Sequence, residues 1–331
     1  MLRFPRIDDT ALAVRLGLAL AFLAAAALAA AQSVTDYAVP TAPPTDLLAI
    51  CLGPDGAVWF GEARTWKVGR IGFDGTITEF STPGNPTYQM TAGPDGNVWV
   101  ANGGIGRLTT AGEFTNFTVP PADNGYYDIV DVAAGPDGAV WFADSDGERI
   151  GRITPAGDFT FVPVSEEPYA ITLGPDGNLW YAATDADVIG RVTPAGVVTT
   201  FKIPGSAPVE LTAGPDGAIW FGGSGIGRLT TSGTVTTFDG ASAARLAPGR
   251  DGNVWFTDYT SVSRITPSGE ITRFPQSGGA VYDLVYGLDG RVWFTDSVNN
   301  RIGRLTLPGQ RQPVERPRTH DRVPIVVPRP E

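Results

Sequence analysis

The sequence predicts an all-β protein, a seven-bladed β-propeller with four antiparallel strands per blade. Three observations carry that prediction. First, the stretch Gly53-Pro54-Asp55-Gly56-Ala57-Val58-Trp59-Phe60 returns six times, beginning at Gly93, Gly135, Gly174, Gly214, Gly249 and Gly287. Second, each copy carries one tryptophan, and the steps from Trp59 through Trp99, Trp141, Trp180, Trp220 and Trp255 to Trp293 are 40, 42, 39, 40, 35 and 38 residues. A period near ~40 with a strand-turn-strand signature marks propellers and related arrays. Third, the last copy ends at Gly303-Arg304-Leu305-Thr306-Leu307-Pro308-Gly309 without an outer strand, whereas Val34-Thr35-Asp36-Tyr37 matches the outer strands Ile77-Thr78-Glu79-Phe80 and Ile271-Thr272-Arg273-Phe274. Residues 33–39 are therefore expected to complete the last blade and close the ring, which removes the open edge of a linear array.

The second copy shows how each element arises. Tyr88 to Ala92 is a short inner strand, A. Gly93-Pro94-Asp95-Gly96 is a tight turn, in which proline presets φ, aspartate bonds its own backbone and glycine supplies positive φ. Asn97 to Ala101 is strand B, rich in β-formers. Gly106 to Thr109 is strand C, Thr110-Ala111-Gly112 turns again, and Phe114 to Phe117 is strand D. Four such strands make one blade.

Composition bounds the rest. Gly (42) and Pro (28) are abundant because each repeat needs several turns, and 42% apolar residues suffice for a core. The formal charge is −11. Residues 1–31 carry +1 and residues 310–331 carry +2, so the body carries −14. An acidic body repels phosphate backbones, so nucleic acid is not an expected partner, and a small-molecule or cationic ligand at the channel mouth is. Residues 1–31 join a basic head to the apolar run Leu16–Ala31 and a small-residue end, the pattern of a secretory signal cut after Ala31. The run is too short for a stable membrane span. A secreted or periplasmic protein is expected, comprising a signal (1–31), the propeller (32–309) and a Pro/Arg-rich flexible tail (310–331). Cys51 is the only cysteine and reads as a small buried filler; His320, the only histidine, lies in the tail.

Strand A lies beside the axis. The Gly-Pro-Asp-Gly turns share one end of the ring, and the variable B–C and D–A connections share the other, where sites are usually built. Two registers there are polar. Three residues past the tryptophans stand Glu62, Asn102, Asp144, Ala183, Gly223, Asp258 and Asp296; on strand A stand Ala49, Gln89, Asp131, Ala170, Glu210, Arg245 and Asp283. Blades six, seven and one are expected to bring Asp258, Asp296, Glu62, Asp283 and Arg245 together at the channel mouth. One reading is a divalent-cation site for Mg²⁺ or Ca²⁺, with Glu62, Asp258 and Asp296 as ligands. The other is a hydrated polar funnel with Arg245 paired to Glu210 or Asp283. Asp131, Glu210, Arg245, Asp283 and Tyr282 are the candidate ligand-binding residues. Tyr88, Tyr169 and Tyr282 either line the mouth or pack with wet tips. The seven turn aspartates and seven strand-C arginines, present in every blade, belong to the blades. Walker, nucleophile-elbow and paired-cysteine motifs are absent, and no catalytic residue is assigned.

The repeat Gly-Pro-Asp-Gly-x-Val-Trp-Phe, followed by Ile-Gly-Arg-Ile-Thr and Thr-x-Phe, resembles the virginiamycin B lyase (streptogramin B lyase) family over residues 33 to about 309. The resemblance implies a monomeric seven-bladed ring and a Mg²⁺-assisted elimination that opens the ester ring of a cyclic antibiotic. It also implies a histidine base at the mouth with acids nearby. Asp258 and Asp296 stand at the family's acidic positions, but Tyr259-Thr260 and Ser297-Val298 follow them, with no histidine. The expectation is an exported ligand-binding or interaction module; the alternative is a Mg²⁺-dependent lyase of the same type.

Overall fold

The computed structural model describes residues 32–308 except 85, 102 and 277; the expected signal, the tail and His320 lie outside the described residues. Seven four-stranded antiparallel sheets form the ring. Blade one is typical: strand A is Leu47–Leu52, B Val58–Glu62, C Lys67–Ile71 and D Ile77–Ser81. Blade seven takes A (Val281–Tyr286), B (Val292–Asp296) and C (Arg301–Thr306) from the end of the chain and D (Ser33–Ala38) from its beginning. Six register pairs from Ser33↔Thr306 to Ala38↔Arg301 close the ring.

Each blade is held by one repeated device. The seven repeat tryptophans are fully buried. Each indole Nε1 donates to the Oδ1 of its turn aspartate, from 2.9 Å for Trp59–Asp55 to 3.3 Å for Trp255–Asp251. The other carboxylate oxygen faces the strand-C arginine, as in Arg70–Asp55 at 2.5 Å and Arg152–Asp137 at 2.5 Å. In blade seven Arg291 takes that place at 3.4 Å from Asp289, while Arg304 lies over Tyr37 and Trp293. The indole stacks on the strand-D aromatic in six blades, for example Trp59 on Phe80 at 5.4 Å and Trp293 on Tyr37 at 5.5 Å. Blade three has Val162 at that position and no such stack. The turn aspartates and strand-C arginines are thus blade architecture.

The glycine of Ile-Gly-Arg in strand C has its own cause. A Cβ on Gly69 would sit 2.0 Å from the Phe60 ring, so this strand must leave space for the aromatic of strand B. Core clusters lie between adjacent blades. One joins Ala133 and Trp141 of blade three to Ile171, Tyr181 and Val188 of blade four; another joins Val39, Leu47 and Phe60 to Trp293 and Ile302 across the closure. Cys51 is buried, and burial pushes its thiol up, so it packs as a small hydrophobe. Among the described residues no helix is long and apolar enough to cross a membrane.

Candidate functional site

Strand A runs from the loop end of the ring to the Gly-Pro-Asp-Gly end, so its residues line the axis in depth order. Two cavities share the channel. The upper one, about 300 Å³, opens on the loop end between Tyr88, Tyr169 and Tyr282; the lower one, about 310 Å³, opens on the turn end. Gln89 and Arg245 line both and form the partition between them.

Asp131, Glu210, Arg245 and Asp283 come together at this level. Arg245 Nη1 stands 3.6 Å from Glu210 Oε2 and donates to the Ala244 carbonyl at 3.0 Å. Its guanidinium carbon lies 5.6 Å from the Tyr282 ring centroid. Its Nε is buried without a partner among the described residues. Asp131 accepts the backbone N–H of Val132 on one oxygen (2.8 Å) and of Ile171, in the next blade, on the other (2.7 Å). Asp283 does the same with Leu284 (2.7 Å) and Ile50 (3.0 Å), tying blade seven to blade one. These two carboxylates therefore staple adjacent blades, and both lie at irregularities in the A–B ladder, where a bulge can re-aim a side chain. The Thr295 hydroxyl fills the gap by accepting the Asp283 N–H at 3.0 Å.

Burial pushes these acids up: Glu210 to about 8, Asp131 to about 7 and Asp283 to about 6. Burial also works against the Arg245 charge, but Glu210 and Asp283 hold the guanidinium firmly protonated. The layer thus sets three carboxyls of raised pKa around one cation.

The expected gathering of Glu62, Asp258 and Asp296 with this layer does not occur. Each is engaged by donors close to the end of its own strand B, although Glu62 Oε1 stays buried without a partner among the described residues. Asp258 Oδ1 accepts from the backbone N–H and hydroxyl of both Thr260 and Ser261. Burial raises its pKa, but these donors outweigh it and hold the carboxyl below the usual range. Asp296 accepts from the backbone of Ala280 and Asn299, the Asn299 amide and Arg301 Nε, and its pKa is likewise lowered against burial. Glu62 accepts from the Thr65 hydroxyl at 3.0 Å, and burial, with Glu79 beside it, pushes it up to about 7. A carboxylate at the end of strand B meets the unpaired N–H groups of its hairpin before it can meet a neighbour across the mouth. Among the described residues no group of three or more His, Cys, Asp or Glu side chains could hold a metal ion.

Sequence reasoning missed Tyr259. Its backbone is left-handed (φ 69°), fixed between the Thr257 hydroxyl and the Val281 N–H. This rare conformation for a bulky residue sets its ring 5.4 Å from Tyr282 at the mouth. Tyr88, Tyr169 and Tyr259 are each nearly half exposed. The signal was present in the residue beyond Asp258, but only its failure to be histidine stood out.

Comparison with known proteins agrees with this architecture. The model of the virginiamycin B lyase family matches residues 84–324. A streptogramin B lyase structure is 28% identical, with a TM-score of 0.77, covering 85% of this chain and 99% of that one. A catalytically inactive histidine-to-alanine virginiamycin B lyase from Staphylococcus aureus, solved with quinupristin, is 31% identical with a TM-score of 0.76, covering 83% and 99%. Hydrazine synthase from Kuenenia stuttgartiensis, 14% identical with a TM-score of 0.67 over 83% of this chain and 100% of that one, shares the fold alone. No curated protein matches this chain.

Proposed function

This chain belongs to the virginiamycin B lyase family, and within it we propose an exported ligand-binding member whose loop-end mouth holds a small molecule without opening it. The observation that carries this reading is the mouth itself. Tyr88, Tyr169 and Tyr282 wall a cavity of about 300 Å³ whose floor is Gln89 and Arg245. Tyrosine faces offer rigid apolar area at low entropic cost. The Arg245 guanidinium carries five donors, and its Nε has no partner among the described residues. The matching ligand has a planar or apolar body and presents a carbonyl or carboxylate oxygen downward to Arg245.

Loss of lyase chemistry rests on the histidine. The inactive relative differs from its parent by one histidine-to-alanine change, and residues 32–308 of this chain contain none, the only histidine being His320. Asp258 and Asp296 are held by donors of nearby loops, Glu62 keeps one unpartnered oxygen, Oε1, and among the described residues no three His, Cys, Asp or Glu side chains gather to hold the Mg²⁺ that the lyase alternative requires. That alternative draws on family membership alone.

The test is calorimetric titration of quinupristin into the protein, with and without Mg²⁺, and mass spectrometry of the recovered ligand. Saturable binding of intact quinupristin, weakened about tenfold or more by Tyr282→Ala, supports the reading. Ring-opened product that disappears in Asp258→Ala or Asp296→Ala would establish the lyase instead.

A further inference from the structure

The cavity at the loop-end mouth has two levels, and they differ in chemistry. Its wall is the register five residues before each turn glycine, where Leu48, Val130 and Val209 alternate with Tyr88, Tyr169 and Tyr282. None of these side chains is charged. The tyrosines belong to blades two, four and seven, so they stand two, three and two blades apart around the ring. Three rings thus surround the axis. Tyr88 and Tyr169 are nearly half exposed, so their rings are open to a ligand. The floor, one residue further along strand A, is Gln89, Ala170 and Arg245. Arg245 is the only cation lining the cavity, and Asp128 is the only anion.

Arg245 offers one free edge to this cavity. Its Nη1 donates to the Ala244 carbonyl and faces Glu210. Nε and Nη2 form the other edge, the kind a carboxylate grips with two parallel hydrogen bonds, and neither is hydrogen-bonded among the described residues. Asp131 and Asp283 accept backbone N–H groups on both oxygens, so neither takes that edge. A lone anion would still be repelled by Asp131, Glu210 and Asp283 beneath the floor, and a positive charge within the same ligand offsets that repulsion. The wall decides the kind of positive charge. A primary ammonium carries three donors, which an aliphatic and aromatic wall leaves largely unmet. A quaternary ammonium carries none, and aromatic faces meet its charge directly.

We propose that the mouth binds a compact zwitterion of the betaine class, a quaternary ammonium joined to a carboxylate by a short chain. Tyr88, Tyr169 and Tyr282 cage the N-methyl groups, and Arg245 takes the carboxylate. The inference rests on the mouth reading above and narrows it: the N-methyl groups are the apolar body, and the carboxylate is the oxygen presented downward. A cavity of about 300 Å³, at the small end of ligand pockets, suits a ligand of this size.

Glycine betaine is the probe. 3,3-Dimethylbutanoate keeps its shape and carboxylate without the positive charge, and choline keeps the quaternary ammonium without the carboxylate. Each is titrated into the protein and followed by backbone amide shifts in two-dimensional NMR. The expected result is saturable betaine binding at about the millimolar level or tighter, with shifts at Tyr88, Gln89, Tyr169 and Ala170. Betaine should exceed each analogue by about tenfold. Tyr169→Leu, at a half-exposed position that the fold does not depend on, should weaken betaine about tenfold and dimethylbutanoate by no more than about twofold. Arg245→Met should weaken betaine about tenfold and leave choline within about twofold. Betaine bound no better than dimethylbutanoate, shifts confined to residues away from the mouth, or a Tyr169→Leu loss equal for both would overturn the proposal. Quinupristin should compete with betaine. Quinupristin bound with no betaine binding would overturn the betaine class and leave the mouth reading standing; neither bound would overturn both.

Discussion

Replacing Arg245 by methionine removes the one cation of the axial layer, and the stability cost should depend on pH. Arg245 and Glu210 are 3.6 Å apart, with side chains only 13% and 12% exposed. At that separation, with an effective dielectric near 20, their attraction is about 4–5 kcal/mol. Removing one member of a buried pair costs about 3–5 kcal/mol, so both routes give the same size. The sign of the pH dependence comes from the carboxyls. Glu210, Asp131 and Asp283 are pushed up to about 8, 7 and 6, above unfolded values near ~4. A folded pKa above the unfolded one means that the contribution is fully present below about 4 and is lost as pH rises through the folded values. Arg245 offsets that loss by stabilising the ionised forms. Below about pH 5 the carboxyls are protonated, Arg245 becomes the uncompensated buried charge, and the variant should equal or exceed the parent in stability. The turn aspartates titrate alike in both proteins and cancel in the difference. The assay is urea unfolding followed by fluorescence of the buried tryptophans at about pH 5, 7 and 9. We expect a penalty near zero in acid that grows to about 3–5 kcal/mol in base. The same penalty at all three values would refute the charge-layer account.

Two further perturbations address closure and the hairpin acids. Tyr37→Ala should cost about 2–3 kcal/mol, because the half-buried ring stacks on Trp293 and lies beneath Arg304. Phe117→Ala, the same register in blade two, should cost about as much, yet Tyr37→Ala should accelerate unfolding more because it loosens the ring closure; equal unfolding rates in the two variants would count against closure as the weak point. Asp296→Ala should cost about 2–4 kcal/mol through its lost donors and leave quinupristin affinity within about twofold. Unchanged stability with lost binding would return Asp296 to the ligand site.

Much of the fold was legible because the repeat reports its own geometry. One glycine-proline-aspartate-glycine turn, one tryptophan and one arginine per blade specify the A–B turn, the B strand and the C strand. The missing outer strand at one end of the chain matched a spare one at the other. The strand-A polar set was legible too, because period-2 alternation beside an aliphatic register leaves only the channel for Asp131, Glu210, Arg245 and Asp283. The strand-B-end acids were misplaced for a local reason. Equal spacing puts Glu62, Asp258 and Asp296 at equivalent positions, but nearby donors from Thr65, Ser261 and Arg301 engage an oxygen of each.

The sequence by itself determined the ring, its closure by residues 33–38 and the absence of histidine from residues 32–308, since each follows from residue type and spacing along the chain. Only the tertiary structure decided which acids meet. It made Asp131 and Asp283 staples between blades, joined Arg245 to Glu210 and Tyr282, and set the Tyr259 ring against Tyr282 through a left-handed backbone. Those outcomes depend on contacts between blades some forty residues apart, where hydrogen-bond geometry and burial set each partner and spacing along the chain does not.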